Sequence, residues 1–79
     1  MQYFVRIRER HDDGVRKVYP DLMCSGLSHA VQEAKRLVLE ADQTRMLEAD
    51  ACFKKGTGVH TKYRCWMDAR GALHESALI

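Results

Sequence analysis

The chain predicts an α+β fold: a two-layer sandwich of one amphipathic helix packed on a mostly antiparallel sheet, in the order ββαβββ. Three observations carry that prediction. Several stretches alternate apolar and polar residues with the period of two that belongs to a strand. Residues 27–42 instead place apolar side chains three and four apart, the repeat of a helix. Glycine-bearing loops at residues 11–15, 55–59 and 68–72 separate the alternating stretches in the manner of hairpin turns.

The first strand covers residues 2–10. Tyr3, Val5 and Ile7 form one face, and Arg6, Arg8 and Arg10 stand as a ladder on the other, with Phe4 beside them. Residues 11–15 then turn the chain, with Gly14 supplying a positive φ. A three-residue loop would pair His11 with Val15 and Glu9 with Lys17, putting Arg16 on the ladder face. A two-residue loop would put Lys17 there instead, so four basic residues share the face in either register. Pro20 ends the second strand because it has no N–H to donate. Residues 21–26 read as a connection, and Ser25 or Ser28 as the cap of the helix.

In the helix, Leu27, Ala30, Val31, Ala34, Leu37, Val38 and Ala41 make one stripe, with Leu39 the one apolar residue off it. His29, Gln32, Glu33, Lys35, Arg36 and Glu40 take the solvent side. The third strand sets Leu47, Ala49, Ala51 and Phe53 against Met46, Glu48, Asp50, Cys52 and Lys54. The loop at 55–59 is expected to place Gly58 at positive φ. Strict alternation in the fourth strand then puts Val59, Thr61, Tyr63, Cys65 and Met67 on the core side, and His60, Lys62, Arg64 and Trp66 outside. The loop at 68–72 leads into a short strand through Leu73 and His74, with His74 opposite Trp66. The tail beyond, residues 76–79 in particular, is expected to fray. A β-grasp-like or split-βαβ-like layout fits this order of elements.

The 79 residues form one domain, since a chain this short buries only roughly 60% of its unfolded surface and has material for a single core. Hydrophobic content of 46% and charged content of 30% are those of a folded chain. No apolar run approaches the ~20 residues of a bilayer span. The start lacks the basic-then-apolar pattern of a secretory signal, so a cytoplasmic location is expected. Cys24, Cys52 and Cys65 are odd in number and widely spaced, which indicates free thiols rather than a disulfide framework or zinc ribbon. The net charge of +2 is segregated. Residues 1–20 hold five Lys/Arg against three Asp/Glu, residues 21–50 three against six, and residues 51–79 five against two.

No Gly-rich phosphate loop, nucleophile elbow or metal-binding His motif is present, so the expectation is a non-enzymatic protein without cofactor. His60, His74, Cys52 and Cys65 are the plausible metal ligands, but alternation sends Cys65 inward and Cys52 outward, and a metal site is not expected. Cys24 precedes the helix, where the dipole could activate it, yet no His or Asp is placed beside it.

The outer sheet face carries the functional expectation. Its candidate partner-binding residues are Arg6, Arg8, Arg10, Arg16, Lys62, Arg64 and Trp66. Arginine pairs bidentately with carboxylate and phosphate alike, and Trp and Arg are frequent interface anchors. Two acidic residues interrupt this face, Asp50 opposite Arg64 and Glu48 beside Trp66. They shift the expectation from a phosphate track toward a protein or nucleoprotein partner. Trp66 reads either as an interface anchor or as a ring packed beside His74. The protein is accordingly expected to bind a macromolecule stoichiometrically, as a monomer or homodimer. A single-stranded nucleic-acid-binding module using the same face is the alternative. In size, compactness and missing catalytic groups the chain resembles the small anti-CRISPR inhibitors, which implies a phage- or mobile-element-encoded inhibitor of a host nucleic-acid-binding complex; no residue motif carries that resemblance.

Overall fold

A computed structural model describes residues 2–11, 14–17, 20–41 and 45–77, with backbone alone for 11 and 15–17. Six strands and one helix follow one another as β1 (Gln2–His11), β2 (Gly14–Lys17), β3 (Leu22–Cys24), α1 (Leu27–Glu40), β4 (Leu47–Lys55), β5 (Gly58–Met67) and β6 (Leu73–Ala77). The sheet order is β2-β1-β4-β5-β6, and β3 also pairs with β1. Every pair is antiparallel. The architecture is therefore the expected helix-on-sheet α+β arrangement. Because β2 and β4 both run against β1, the crossover through α1 brings β4 back in the direction of β2.

β4 takes one edge of β1 from Gln2 to Glu9, so β2 and β3 must share the other edge. Residues 21–26, expected to be a plain connection, thus contain a short strand. Among the described residues, Lys17 pairs with Arg8 and Leu22 with Val5, and Pro20 lies between them in the chain. A proline cannot donate to a ladder, but it interrupts a strand without preventing the chain from rejoining the same edge.

The core lies between α1 and the sheet. Ala30, Ala34 and Val38 of the helix meet Val5, Ile7, Leu47, Ala49, Ala51, Tyr63 and Cys65. Four of these are alanines on facing surfaces, so the helix backbone approaches the sheet closely. Leu39, off the stripe, is exposed. The expected serine cap is not used. Gly26, in extended conformation, occupies the N-cap without a side-chain hydrogen bond. Instead His29 folds back, its Nδ1 accepting from the Ser25 backbone N–H at 3.0 Å.

The β4–β5 hairpin departs from the expected register in an instructive way. The positive φ of 62° belongs to Gly56, not Gly58, and Lys55 pairs directly with Gly58. That is a two-residue turn with glycine at its first central position, as a type II′ turn requires. It shifts the pairing by one residue. A β-bulge then restores it: Cys52 pairs with Thr61 but Ala51 with Tyr63, leaving Lys62 as the extra residue. Beyond the bulge the expected pairs Asp50–Arg64 and Glu48–Trp66 form. Before it, every side chain of β5 lies on the face opposite to that expected.

The β5–β6 turn behaves as expected. Gly71 has φ 82°, and the Asp68 carboxylate accepts the backbone N–H groups of Arg70 and Ala72, both at 2.9 Å. Trp66 pairs with His74. β6 runs further than expected, through Ser76 and Ala77 opposite Arg64 and Tyr63, and the expected fraying of 78–79 lies outside the described residues.

Candidate functional site

The sheet face away from α1 gathers most of the expected site. β1 supplies Phe4, Arg6, Arg8 and Arg10; β4 supplies Glu48, Asp50 and Cys52; β5 supplies Arg64 and Trp66; β6 supplies His74. β4 lies between β1 and β5, so its acidic row is shared by the arginines of both neighbours. The Arg64 fork holds Asp50, with Nε to Oδ1 at 2.8 Å and Nη2 to Oδ2 at 3.0 Å. Arg8 Nη1 reaches the same carboxylate at 3.3 Å. Glu48 receives Arg64 Nε at 2.9 Å and Arg10 Nε at 3.1 Å.

This arrangement buries charge on a face that no helix covers. Asp50 is 1% exposed and Glu48 6%, because the guanidinium groups lie over them. Buried carboxylates persist only where their partners repay the loss of water, and Arg64 bridging both of them does so. Phe4, expected to point outward, is on this face but buried, with the Arg6 guanidinium 5.4 Å from its ring centroid. Arg6 itself pairs with Asp21 at 3.4 Å, and that partner raises its pKa.

Trp66 packs beside His74, one of the two readings considered for it. Its ring stacks on His74 at 5.4 Å and 9°, while the Arg10 guanidinium lies 5.8 Å from its centroid. His74 Nε2 contacts Asp68 Oδ2 at 2.7 Å. That imidazole, and then the Ala72 and Arg70 N–H groups, hold the Asp68 carboxyl below its ordinary pKa. A row of flat groups, Arg10, Trp66 and His74, therefore crosses the face and is anchored in the β5–β6 turn.

Two of the expected residues fall elsewhere. Glu9 pairs with Arg16 and Arg8 with Lys17, so position 17 rather than 16 shares the ladder face, as the two-residue loop would have it. Lys62, the bulge residue, directs its Nζ to the Phe53 ring, 5.5 Å from the centroid, on the α1 side of the sheet. His60 follows it there and stacks on Phe53 at 4.9 Å and 19°. Alternation in the sequence carries no sign of this inversion. The remaining ladder is not a basic field, since Arg6, Arg8, Arg10 and Arg64 are each paired with Asp21, Glu48 or Asp50.

Cys52 and Cys65 are buried, on opposite faces of the sheet. Burial pushes the Cys65 thiol up to about 11 and raises those of Cys52 and Cys24. A cavity of about 240 Å³ lies at the far end of α1 from Cys24, lined by Ile7, Leu37, Ala41 and Leu47. Among the described residues, no three His, Cys, Asp or Glu side chains converge as a metal site requires. Nor, among them, is any helix long and apolar enough to cross a membrane. Comparison of the chain with protein-family models, curated proteins and solved structures finds no match.

Proposed function

We propose that this chain is a non-enzymatic binding protein that acts stoichiometrically on a protein or nucleoprotein partner through the face built on Arg8, Arg10, Arg64 and Trp66. The observation that supports it best is the holding of three arginines on one face by two buried carboxylates, with Trp66 beside Arg10. Long side chains normally lose rotamer freedom on binding, and here the intramolecular ion pairs have already ordered them. Each guanidinium retains N–H donors beyond those it uses, and an Arg–Trp cluster is the composition of interface hot spots. The alternation of paired charges favours a protein surface of mixed charge. A nucleic-acid module using this same face has less support, because its cations already have carboxylate partners. A narrower form of the reading is inhibition of a nucleic-acid-binding complex.

The test is affinity capture from a host extract with quantitative mass spectrometry. Arg8→Met/Arg10→Met and Trp66→Ala are compared with wild type and with Arg36→Ala on the helix. Methionine preserves the apolar cover but removes the fork. A partner recovered in fixed ratio by wild type and Arg36→Ala, and lost from both face variants while circular dichroism is unchanged, supports the reading. Equal recovery by all four chains removes this face from the interface.

A further inference from the structure

The end of the β4–β5 hairpin holds a second group of rings on the α1 side of the sheet. Tyr3, Phe53 and His60 stand in register on the adjacent strands β1, β4 and β5. Tyr3 and Phe53 are 6.2 Å apart with planes tilted by 45°, and Phe53 and His60 are stacked. None of the three belongs to the cluster that α1 covers. His60 is exposed, with one ring face on Phe53 and the other directed away from it. The hairpin is built to allow this. The bulge at Lys62 turns position 60 to this side, and a Cβ on Gly58 would stand 3.3 Å from His60 Nε2.

The charge around the rings differs in kind from that of the arginine face. Residues 51–64 contain Lys54, Lys55, Lys62 and Arg64 and no Asp or Glu. Among the described residues none of the three lysines forms an ion pair, and Lys62 rests against Phe53. Lys55 is two residues from Phe53 along β4, on the same side of the strand.

We infer that Tyr3, Phe53 and His60, with Lys55 and Lys62, form a contact site for single-stranded nucleic acid, distinct from the arginine face. A base extends the stack on the open face of His60, and the lysines meet the flanking phosphates. The stacked Phe53–His60 pair selects a flat heterocycle, whereas an acidic peptide would use the lysines and leave the rings idle. Every base has a π-face, so little sequence preference is expected.

The experiment is fluorescence anisotropy with labelled oligo(dT) and oligo(U) of about 12 nucleotides, the range a single small domain occupies. Both are titrated at about 50 and 200 mM salt, with a duplex of equal length and polyglutamate as competitors. Wild type is expected to bind at least one single strand, less at the higher salt, and neither competitor should displace it at equal charge. The ratio between the two strands reads the contribution of the 2′-hydroxyl. His60→Ala should weaken binding about 5- to 150-fold, the range for removal of one base stack. Gly58→Ala, which crowds the ring without strained backbone, should weaken it by less. Lys55→Ala/Lys62→Ala should flatten the slope of log affinity against log salt by about 0.7 for each phosphate no longer neutralised. Arg8→Met/Arg10→Met should leave it unchanged. No binding to either strand at the lower salt overturns the inference. So does wild-type affinity in His60→Ala, equal competition by polyglutamate, or loss of binding in the arginine variant. The arginine variant also keeps this outcome separate from that of partner capture.

Discussion

The two charged regions of this sheet hold similar numbers of cations and use them in opposite ways. On the outer face four arginines lie over three carboxylates, two of them buried, and the charges satisfy one another. At the hairpin end the lysines have no carboxylate within the described residues, and the rings beside them are partly open to solvent. The first arrangement is structural, because its arginines cover the buried carboxylates of Glu48 and Asp50. The second contributes little to folding and leaves its charge available. Basic residues counted along a sequence do not distinguish these cases; their cross-strand partners do.

The largest effect that would test this comparison is expected from Arg64→Ala. It strips the bridging cation from Asp50 and Glu48, and breaking a buried pair in this way costs on the order of 3 kcal/mol. Urea unfolding should show the midpoint fall accordingly, and a loss under about 1 kcal/mol, the size of an exposed pair, would mean that Arg8 and Arg10 suffice. Next comes Glu48→Gln/Asp50→Asn, which removes the acids and leaves the arginines. Stability should fall by about 1–2 kcal/mol as their charge-assisted hydrogen bonds become neutral. The outer face should then gain salt-sensitive retention of oligo(dT) that the wild-type face lacks. Absence of that gain would show that the carboxylates are not what withholds these arginines from phosphate.

A smaller effect concerns acid. The folded Asp68 carboxyl has a lower pKa than in the unfolded chain, so the folded state binds fewer protons. Its contribution is complete above the ordinary carboxylate range and disappears as pH falls through the depressed folded value. Glu75, held down by Lys35 and then by the Tyr63 hydroxyl, behaves in the same sense. The melting temperature should therefore drop on acidification from about pH 5 to 3, and Asp68→Asn should flatten that drop. An unchanged slope in the variant would detach Asp68 from the acid response. The smallest effect is at the hairpin end, where Lys55→Ala/Lys62→Ala should change stability by no more than about 0.5 kcal/mol. A larger loss would make the tip lysines structural after all.

Much of this architecture is legible in the sequence. The helix stripe, the ladder on β1 and the Asp68 turn follow from local rules: period, and the tolerance of glycine for positive φ. The pairings Asp50–Arg64 and Trp66–His74 are legible too, the former through two departures that cancel. The tighter turn at Gly56 moves the register by one, and the bulge at Lys62 moves it back. His60 lies between those two events and Lys62 is the second of them, so simple alternation assigns both to the wrong face. β3 escapes sequence rules because a proline ends a run of ladder donors but says nothing about where pairing resumes.

The sequence by itself determined every element but β3, their order and the alternation that splits each strand into two faces. These depend on residues a few positions apart, whose geometry is set by the backbone repeat. Only the tertiary structure decided that β4 lies between the two arginine-bearing strands, and so that its acids quench both. Only it placed the bulge that carries His60 and Lys62 to the other side of the sheet. Strand neighbours and bulges are chosen by the packing of the whole sheet against α1, where the burial of Ala49, Ala51, Tyr63 and Cys65 outweighs strict alternation near the hairpin end.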